Sequence, residues 1–137
     1  MDKLEYIPGD LVSVYVGIKK FIVEVIGTET ENEILSYQIK FPNGEIQYAD
    51  NGNIVPIPLT PEILEKNGWY GATHSKQSDD NTKILYKTFK RKGYPTIKVS
   101  QDLKITCELS PFVVKLESVS DLQHLLFGLG LNSEMEV

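Results

Sequence analysis

Hydrophobic and polar positions alternate along the first 58 residues, in short runs separated by turn residues. In the clearest run, over 34–41, every second residue from Leu35 to Phe41 is apolar. Alternation of this kind predicts a strand with one buried face. Weaker alternation predicts strands over 11–16, 21–26, 45–48 and 54–57, with Ile46 and Tyr48 facing inward. Because their short turns require antiparallel neighbours, these five strands predict a small barrel over 1–58, SH3-like by preference and OB-like as the alternative.

A short helix is predicted directly after these strands, over residues 61–67. Thr60 can cap its N-terminus, Pro61 suits its first turn, and Asn67-Gly68 supplies a left-handed stop. Because a helix of about two turns is unstable by itself, we expect it to be docked, with Ile63, Leu64 and the following Trp69 buried.

The pattern changes again after residue 70. The polar stretch 71–81 predicts a loop, and apolar runs predict strands over 83–89, 96–99, 103–109 and 112–118. A stripe of apolar residues at helical spacing predicts a final helix, capped at Ser120, ending at Gly130 and packed on the second sheet. The predicted fold is therefore a β-rich α+β protein, with an SH3-like barrel over 1–58 and an αββββα unit over 59–137.

Composition and charge support this division. Residues 1–58 contain four basic and nine acidic side chains, whereas residues 59–137 contain ten of each, and the whole chain has a net charge of −5. No apolar run reaches the length of about 18 residues that a membrane span needs. The N-terminus does not resemble a secretion signal, and a single cysteine, Cys107, fits a reducing compartment. We therefore expect a cytoplasmic protein with no membrane partner.

Two motifs carry a resemblance to a known family. The segments IPLTPEILEKNGW (57–69) and ESVSDLQHLLFGLG (117–130) resemble a family of small uncharacterised proteins of gut bacteria, their phages and integrative elements. Ser120 stands where the family usually has a histidine. The resemblance implies a mobile-element setting and brings no biochemical activity with it.

Catalytic and metal-binding constellations are not visible in the sequence. Cys107 alternates with Ile105 and Leu109 on an apolar face, which predicts a buried thiol. His74 falls in the predicted polar loop and His124 on the polar side of the last helix, and neither has a second ligand at metal-binding spacing. We therefore expect a protein that is not an enzyme and holds neither a metal nor a cofactor.

The favoured function is a non-enzymatic interaction or adaptor module that binds a protein partner or a second copy of itself. Three apolar side chains without an evident internal role are its candidate contacts: Phe127, Ile22 and Ile26. The alternative is an accessory protein that binds single-stranded nucleic acid through the acid-free segment 83–98, where basic and aromatic residues are interleaved. Its candidate contacts are Lys83, Lys87, Lys90, Arg91, Lys92, Tyr94 and Lys98.

Overall fold

The computed structural model describes residues 6–77 and 83–137. Two five-stranded antiparallel sheets and two α-helices make up the regular structure of these residues, which confirms the prediction of a β-rich α+β protein. The chain divides into two compact units. The first runs to Ile57 and also includes Ser118–Met135, and the second consists of Pro58–Glu117 with Glu136–Val137.

The first unit is built from consecutive hairpins. Its strands are β1 (Leu11–Val16), β2 (Lys19–Glu31), β3 (Ile34–Lys40), β4 (Ile46–Asp50) and β5 (Ile54–Pro56), in the spatial order β4-β3-β2-β1-β5. A single 3₁₀ turn, Asn51–Asn53, connects β4 to β5. The register of β2 against β3 shifts by one residue between Val25 and Gly27, and this bulge lies within the longest strand of the unit.

One face of this sheet forms the core of the first unit. Tyr37 and Ile39 are buried as predicted, but Ile46 and Tyr48, which we expected to face inward, are about half exposed. The register explains the difference, because Tyr48 is paired with Gln38 and Ile46 with Lys40. Directly paired residues share a face of an antiparallel sheet, so both side chains lie on the polar side. The buried core residues are Tyr6, Val12, Val14, Val23, Val25, Tyr37, Ile39, Phe41, Ala49 and Ile54.

The C-terminal helix α2 (Val119–Gly128) belongs to the first unit, which differs from the predicted division at residue 58. It contacts β1. Its N-terminal cap is Ser118 rather than Ser120: the hydroxyl accepts the Asp121 N–H, and the Asp121 carboxylate accepts the Ser118 N–H. This capping box does not involve Gln123, whose side chain contacts the start of β1 instead.

The second unit is one helix followed by a five-stranded meander. The helix is α1 (Pro61–Lys66), capped by the Thr60 hydroxyl as predicted. The strands are β6 (Tyr70–Gln77), β7 (Lys83–Lys90), β8 (Ile97–Ser100), β9 (Ile105–Leu109) and β10 (Phe112–Lys115), paired in chain order. This unit is therefore αβββββ and not αββββα.

The first of these strands, β6, covers most of the segment that we predicted to be a loop. The sequence of β6 is polar because β6 is an edge strand whose residues 70–75 are all exposed. Gly71 fits the strand for a packing reason. A Cβ atom at this position would lie 2.7 Å from the Phe89 ring, so the bare backbone allows that ring to approach β6.

The core of the second unit lies on one face of its sheet. Leu64, Trp69, Phe89, Ile97 and Cys107 have no exposed surface. Ile63, which we expect to be buried, is only partly buried. Two apolar residues of the predicted strands do not reach this core: Leu103 is 72% exposed and Phe112 is 70% exposed. Leu103 adopts a positive φ of 64° in the turn between β8 and β9, which removes it from the alternation of the strand. Neither α1 nor α2 is long and apolar enough to cross a membrane.

Candidate nucleic-acid interface

Strand register brings basic and polar side chains of the second unit together on one face of its sheet. Ala72, Thr88, Lys98, Thr106 and Lys115 are paired one after another across the five strands. Thr88, Lys98 and Thr106 alternate with buried residues of their own strands, so this face points away from the core. We call it the outward face. Lys98 and Lys115 are two strands apart on it, about 10 Å at about 4.8 Å per strand.

A compact aromatic and cationic cluster lies at the β6–β8 side of the outward face. The His74 and Tyr86 rings are stacked, with centroids 5.2 Å apart and planes 23° apart. The Lys98 Nζ atom lies 4.6 Å from the centroid of the Tyr86 ring, a cation–π distance. His74 Nε2 is 2.8 Å from the Thr88 hydroxyl, which holds the imidazole over the ring. The cluster therefore presents a fixed positive charge beside an ordered aromatic surface.

Further cations and one accessible ring surround this cluster. Tyr70 is 78% exposed and is paired with Lys90, which is also exposed. Lys115 is exposed at the opposite edge of the sheet. Glu108 is the one acidic side chain among the strand residues that the structure describes on this face. The outward face therefore carries a positive balance, with Lys90, Lys98 and Lys115 against one carboxylate.

The seven residues that the sequence singled out are only partly brought together. Lys90 and Lys98 lie on the outward face, and Lys92 is exposed in the turn after β7. Lys87 is exposed on the opposite face, since it is paired with the buried Val99. For Lys83 the strand backbone is described, but its side chain lies outside the described part of the structure.

Arg91 and Tyr94 have a packing role instead. The Arg91 guanidinium lies 5.0 Å from the Trp69 ring centroid and 3.9 Å from that of Tyr94. The Tyr94 ring packs edge-on against Trp69 at 5.4 Å. Phe89 is fully buried. Of the three aromatic rings in segment 83–98, only Tyr86 is therefore on the outward face.

Sequence reasoning missed Tyr70, His74 and Lys115 as members of this face. His74 lies in the segment predicted to be a loop and Tyr70 directly precedes it, because an edge strand exposed on both faces shows no apolar alternation. Lys115 is far along the chain from segment 83–98. Strand pairing identifies it, because Lys115 pairs with Thr106 on β9 and Thr106 pairs with Lys98 on β8.

A second polar cluster lies in the first unit, where α2 meets the start of β1. The Asp10 carboxylate accepts the Ile7 N–H at 2.9 Å and lies 2.5 Å from His124 Nε2. Burial raises the pKa of Asp10 above its ordinary value of 3.8, while the bonds from Ile7 and His124 act in the opposite direction. His124, predicted to be a surface residue, is therefore about two-thirds buried and tied to a buried acid.

The other candidate groups remain isolated in the structure. Cys107 is buried as predicted, and burial raises the pKa of its thiol. Residues 6–77 and 83–137 contain no group of three or more His, Cys, Asp or Glu side chains arranged to hold a metal ion. Of the candidate protein contacts, Phe127 is 66% exposed, Ile22 is 43% exposed and Ile26 is partly buried.

Comparison of the chain with known protein families, with curated proteins and with solved structures finds no match.

Proposed function

We propose that this protein is a non-enzymatic accessory protein that binds single-stranded nucleic acid through the outward face of its second sheet. The cluster of His74, Tyr86 and Lys98 carries the proposal, because it fixes a cation beside stacked rings on an uncovered sheet face. Lysine side chains neutralise phosphates, and an exposed ring such as Tyr70 offers a stacking surface for any base.

The charges of the two units favour the second unit over the first as the site for a polyanion. The first unit holds four basic and eleven acidic residues, and the second holds ten basic and eight acidic residues. Their net charges are −7 and +2. The difference in net charge between the two units is larger than the difference between residues 1–58 and 59–137, because Ser118–Met135, which includes α2 and two acidic residues, belongs to the first unit. A polyanion is therefore expected to contact the second unit and to avoid the first.

A charge reversal at Lys98 tests the proposal, with the same reversal at Lys87 as a matched control. Both lysines are exposed and lie on neighbouring strands of one sheet, but they face opposite sides. We expect Lys98→Glu to weaken binding of a fluorescein-labelled oligo-dT strand by about tenfold or more at low salt, and Lys87→Glu to weaken it by much less. Fluorescence anisotropy measures both affinities. Equal losses in the two variants, or no binding by the native protein, would contradict the proposal.

Phe127 favours a second candidate function, an adaptor that binds a protein partner or a second copy of the chain. A phenylalanine that is 66% exposed near the end of α2 costs solubility unless something covers it. Light scattering over a concentration series tests self-association. A dimer that persists unchanged in Phe127→Ser would exclude this side chain from the interface.

Two further proposals concern the fold and the setting. We propose that the first unit is an SH3-like barrel, supported by the strand order β5-β1-β2-β3-β4, the 3₁₀ turn before β5 and the bulge in β2. An experimental structure in which β2 does not bend at the bulge would contradict it.

The family resemblance also supports a role in a phage or other mobile element of a cytoplasmic host. Genes that lie beside this one in a genome and encode no mobile-element proteins would argue against that setting.

A further inference from the structure

The first unit contains a groove that the proposed nucleic-acid site does not use. Its volume is about 690 Å³, within the range of ligand-binding pockets. The buried side chains of Val14 and Ile39 contribute to its lining, and the half-exposed rings of Tyr15 and Tyr48 lie on its walls. The groove therefore offers two accessible aromatic rings, as sites that hold a side chain of a partner often do.

The charge of this groove has one sign. Glu29 and Glu31 on β2 and Asp50 at the end of β4 line it, and none of its lining residues is basic. In the described part of the chain, none of these three carboxylates forms an ion pair. One cation contacts a lining residue: the Nζ atom of Lys20 lies 6.0 Å from the Tyr15 ring centroid. The groove thus lies within the acidic unit and has no internal counter-charge on its walls.

The position of β4 indicates what kind of ligand fits. This strand is at the edge of its sheet, and it supplies Tyr48 and Asp50 to the groove. An edge strand leaves main-chain N–H and C=O groups that an extended peptide can pair with. A small free cation would bind the carboxylates but would leave the main-chain groups of this edge unpaired. Arginine and lysine side chains suit the walls, since they bind carboxylates and stack on tyrosine rings.

We propose that this groove binds an extended, arginine- or lysine-bearing segment of a partner protein, with the segment aligned along β4. The cationic side chains would contact Glu29, Glu31 and Asp50, and the stem of one such side chain would lie against Tyr48. A second copy of this chain is a poorer occupant, because Lys87, Lys90 and Lys98 of its second unit lie on strands that are already paired on both sides. The site does not depend on the outward face, so either proposal can fail alone.

The test uses a fluorescein-labelled octapeptide of alternating arginine and serine, with a glutamate–serine peptide as the charge control. The variant is Glu29→Gln with Asp50→Asn, and its matched control is Glu24→Gln with Glu45→Gln. Both pairs remove two exposed carboxylates from the first unit, but Glu24 and Glu45 lie outside the groove. Asp50 makes no side-chain cap to the following turn, so its loss should not disturb the fold. Equal urea midpoints would verify this.

We expect the groove variant to bind the arginine peptide about tenfold or more weakly than the native protein, and the control variant to change affinity by less than about twofold. Amide signals of Gln47 and Ala49 on β4 should shift when the peptide is added. An equal loss of peptide affinity in both variants would mean that the peptide responds only to the overall charge of the first unit, and this would overturn the proposal. Equal binding of the glutamate peptide would also overturn it. Self-association that is lost in the groove variant would assign the groove to a second copy instead.

Discussion

Trp69 is the largest fully buried side chain in the described part of the chain. It packs against Tyr94 and under Arg91, and its Nε1–H donates to the Pro95 carbonyl at 3.3 Å. The sequence already placed this residue in a core, because a tryptophan directly after a helix stop has no role in a linker. The partners were not foreseeable, since they come from the turn between β7 and β8, over 20 residues away.

Replacing Trp69 by alanine should therefore remove a large amount of packing from the second unit. We expect Trp69→Ala to lower the free energy of unfolding by about 3–5 kcal/mol, the usual cost of deleting a buried tryptophan. Urea unfolding followed by circular dichroism measures the loss. The neighbouring Tyr70→Ala removes an exposed ring and should stay within about 0.5 kcal/mol of the native protein. A loss below about 1 kcal/mol for Trp69→Ala would contradict the packing described here.

Asp10 gives a prediction for the pH dependence of stability. Burial raises its pKa in the folded protein above 3.8, so the folded state holds this proton more tightly than the unfolded chain does. The contribution of Asp10 to stability is then complete below pH 3.8 and declines as the pH rises through the folded-state pKa. Asparagine at this position has no proton to lose.

The measurement is the difference in free energy of unfolding between the native protein and Asp10→Asn, taken at a series of pH values. We expect this difference to become less favourable to the native protein as the pH rises from 3.8. A difference that grows in favour of the native protein over the same range would mean that the bonds from Ile7 and His124 outweigh burial.

At the scale of elements, most of the strands and α1 were predictable because their signals are local. Alternation located β1 at its observed bounds, and the Thr60–Pro61 start located α1. The strand β6 and the packing partner of α2 were not predictable. An exposed edge strand has no apolar face to read, and an amphipathic helix shows which of its sides is buried but not what buries it.

Gln123 explains how α2 is held in the first unit. Its side chain is 3% exposed, its Oε1 atom accepts the Leu11 N–H at 2.8 Å, and its Nε2 atom donates to the carbonyls of Gly9 and Ser133. A single amide thus joins α2 to the entry of β1 and to the segment after the helix. It satisfies three backbone groups that a buried apolar side chain would leave without partners.

We expect Gln123→Ala to lower the free energy of unfolding by about 1–3 kcal/mol, the cost of leaving buried polar groups unpaired. Amide hydrogen exchange should accelerate more at Leu11 than at Val14 in the middle of β1. The matched control is Gln47→Ala, because the amide of this exposed residue bonds only to the Glu45 side chain in the described structure. A uniform acceleration along β1 would indicate general loosening and not a local tether.

At the scale of the whole molecule, the net charge of −5 is the sum of −7 on the first unit and +2 on the second. A binding site for a polyanion is therefore compatible with an acidic protein, provided that the contacts are confined to the second unit. Three lysines on the outward face predict a slope of about −2 for the logarithm of oligonucleotide affinity against that of salt concentration, at about 0.7 per phosphate for a single strand. A slope near zero would contradict phosphate contacts by Lys90, Lys98 and Lys115.

The sequence by itself determined which residues form most strands, where α1 begins and ends, and that Cys107 and Trp69 are buried. These features follow from alternation, capping and turn chemistry over a few neighbouring residues. Only the tertiary structure decided which strands pair, that Ile46 and Tyr48 face outward, that α2 joins the first unit, and that Tyr70, His74 and Lys115 share a face with Lys98. The physical reason is that each of these depends on register or docking between segments far apart in the chain, which local patterns do not encode.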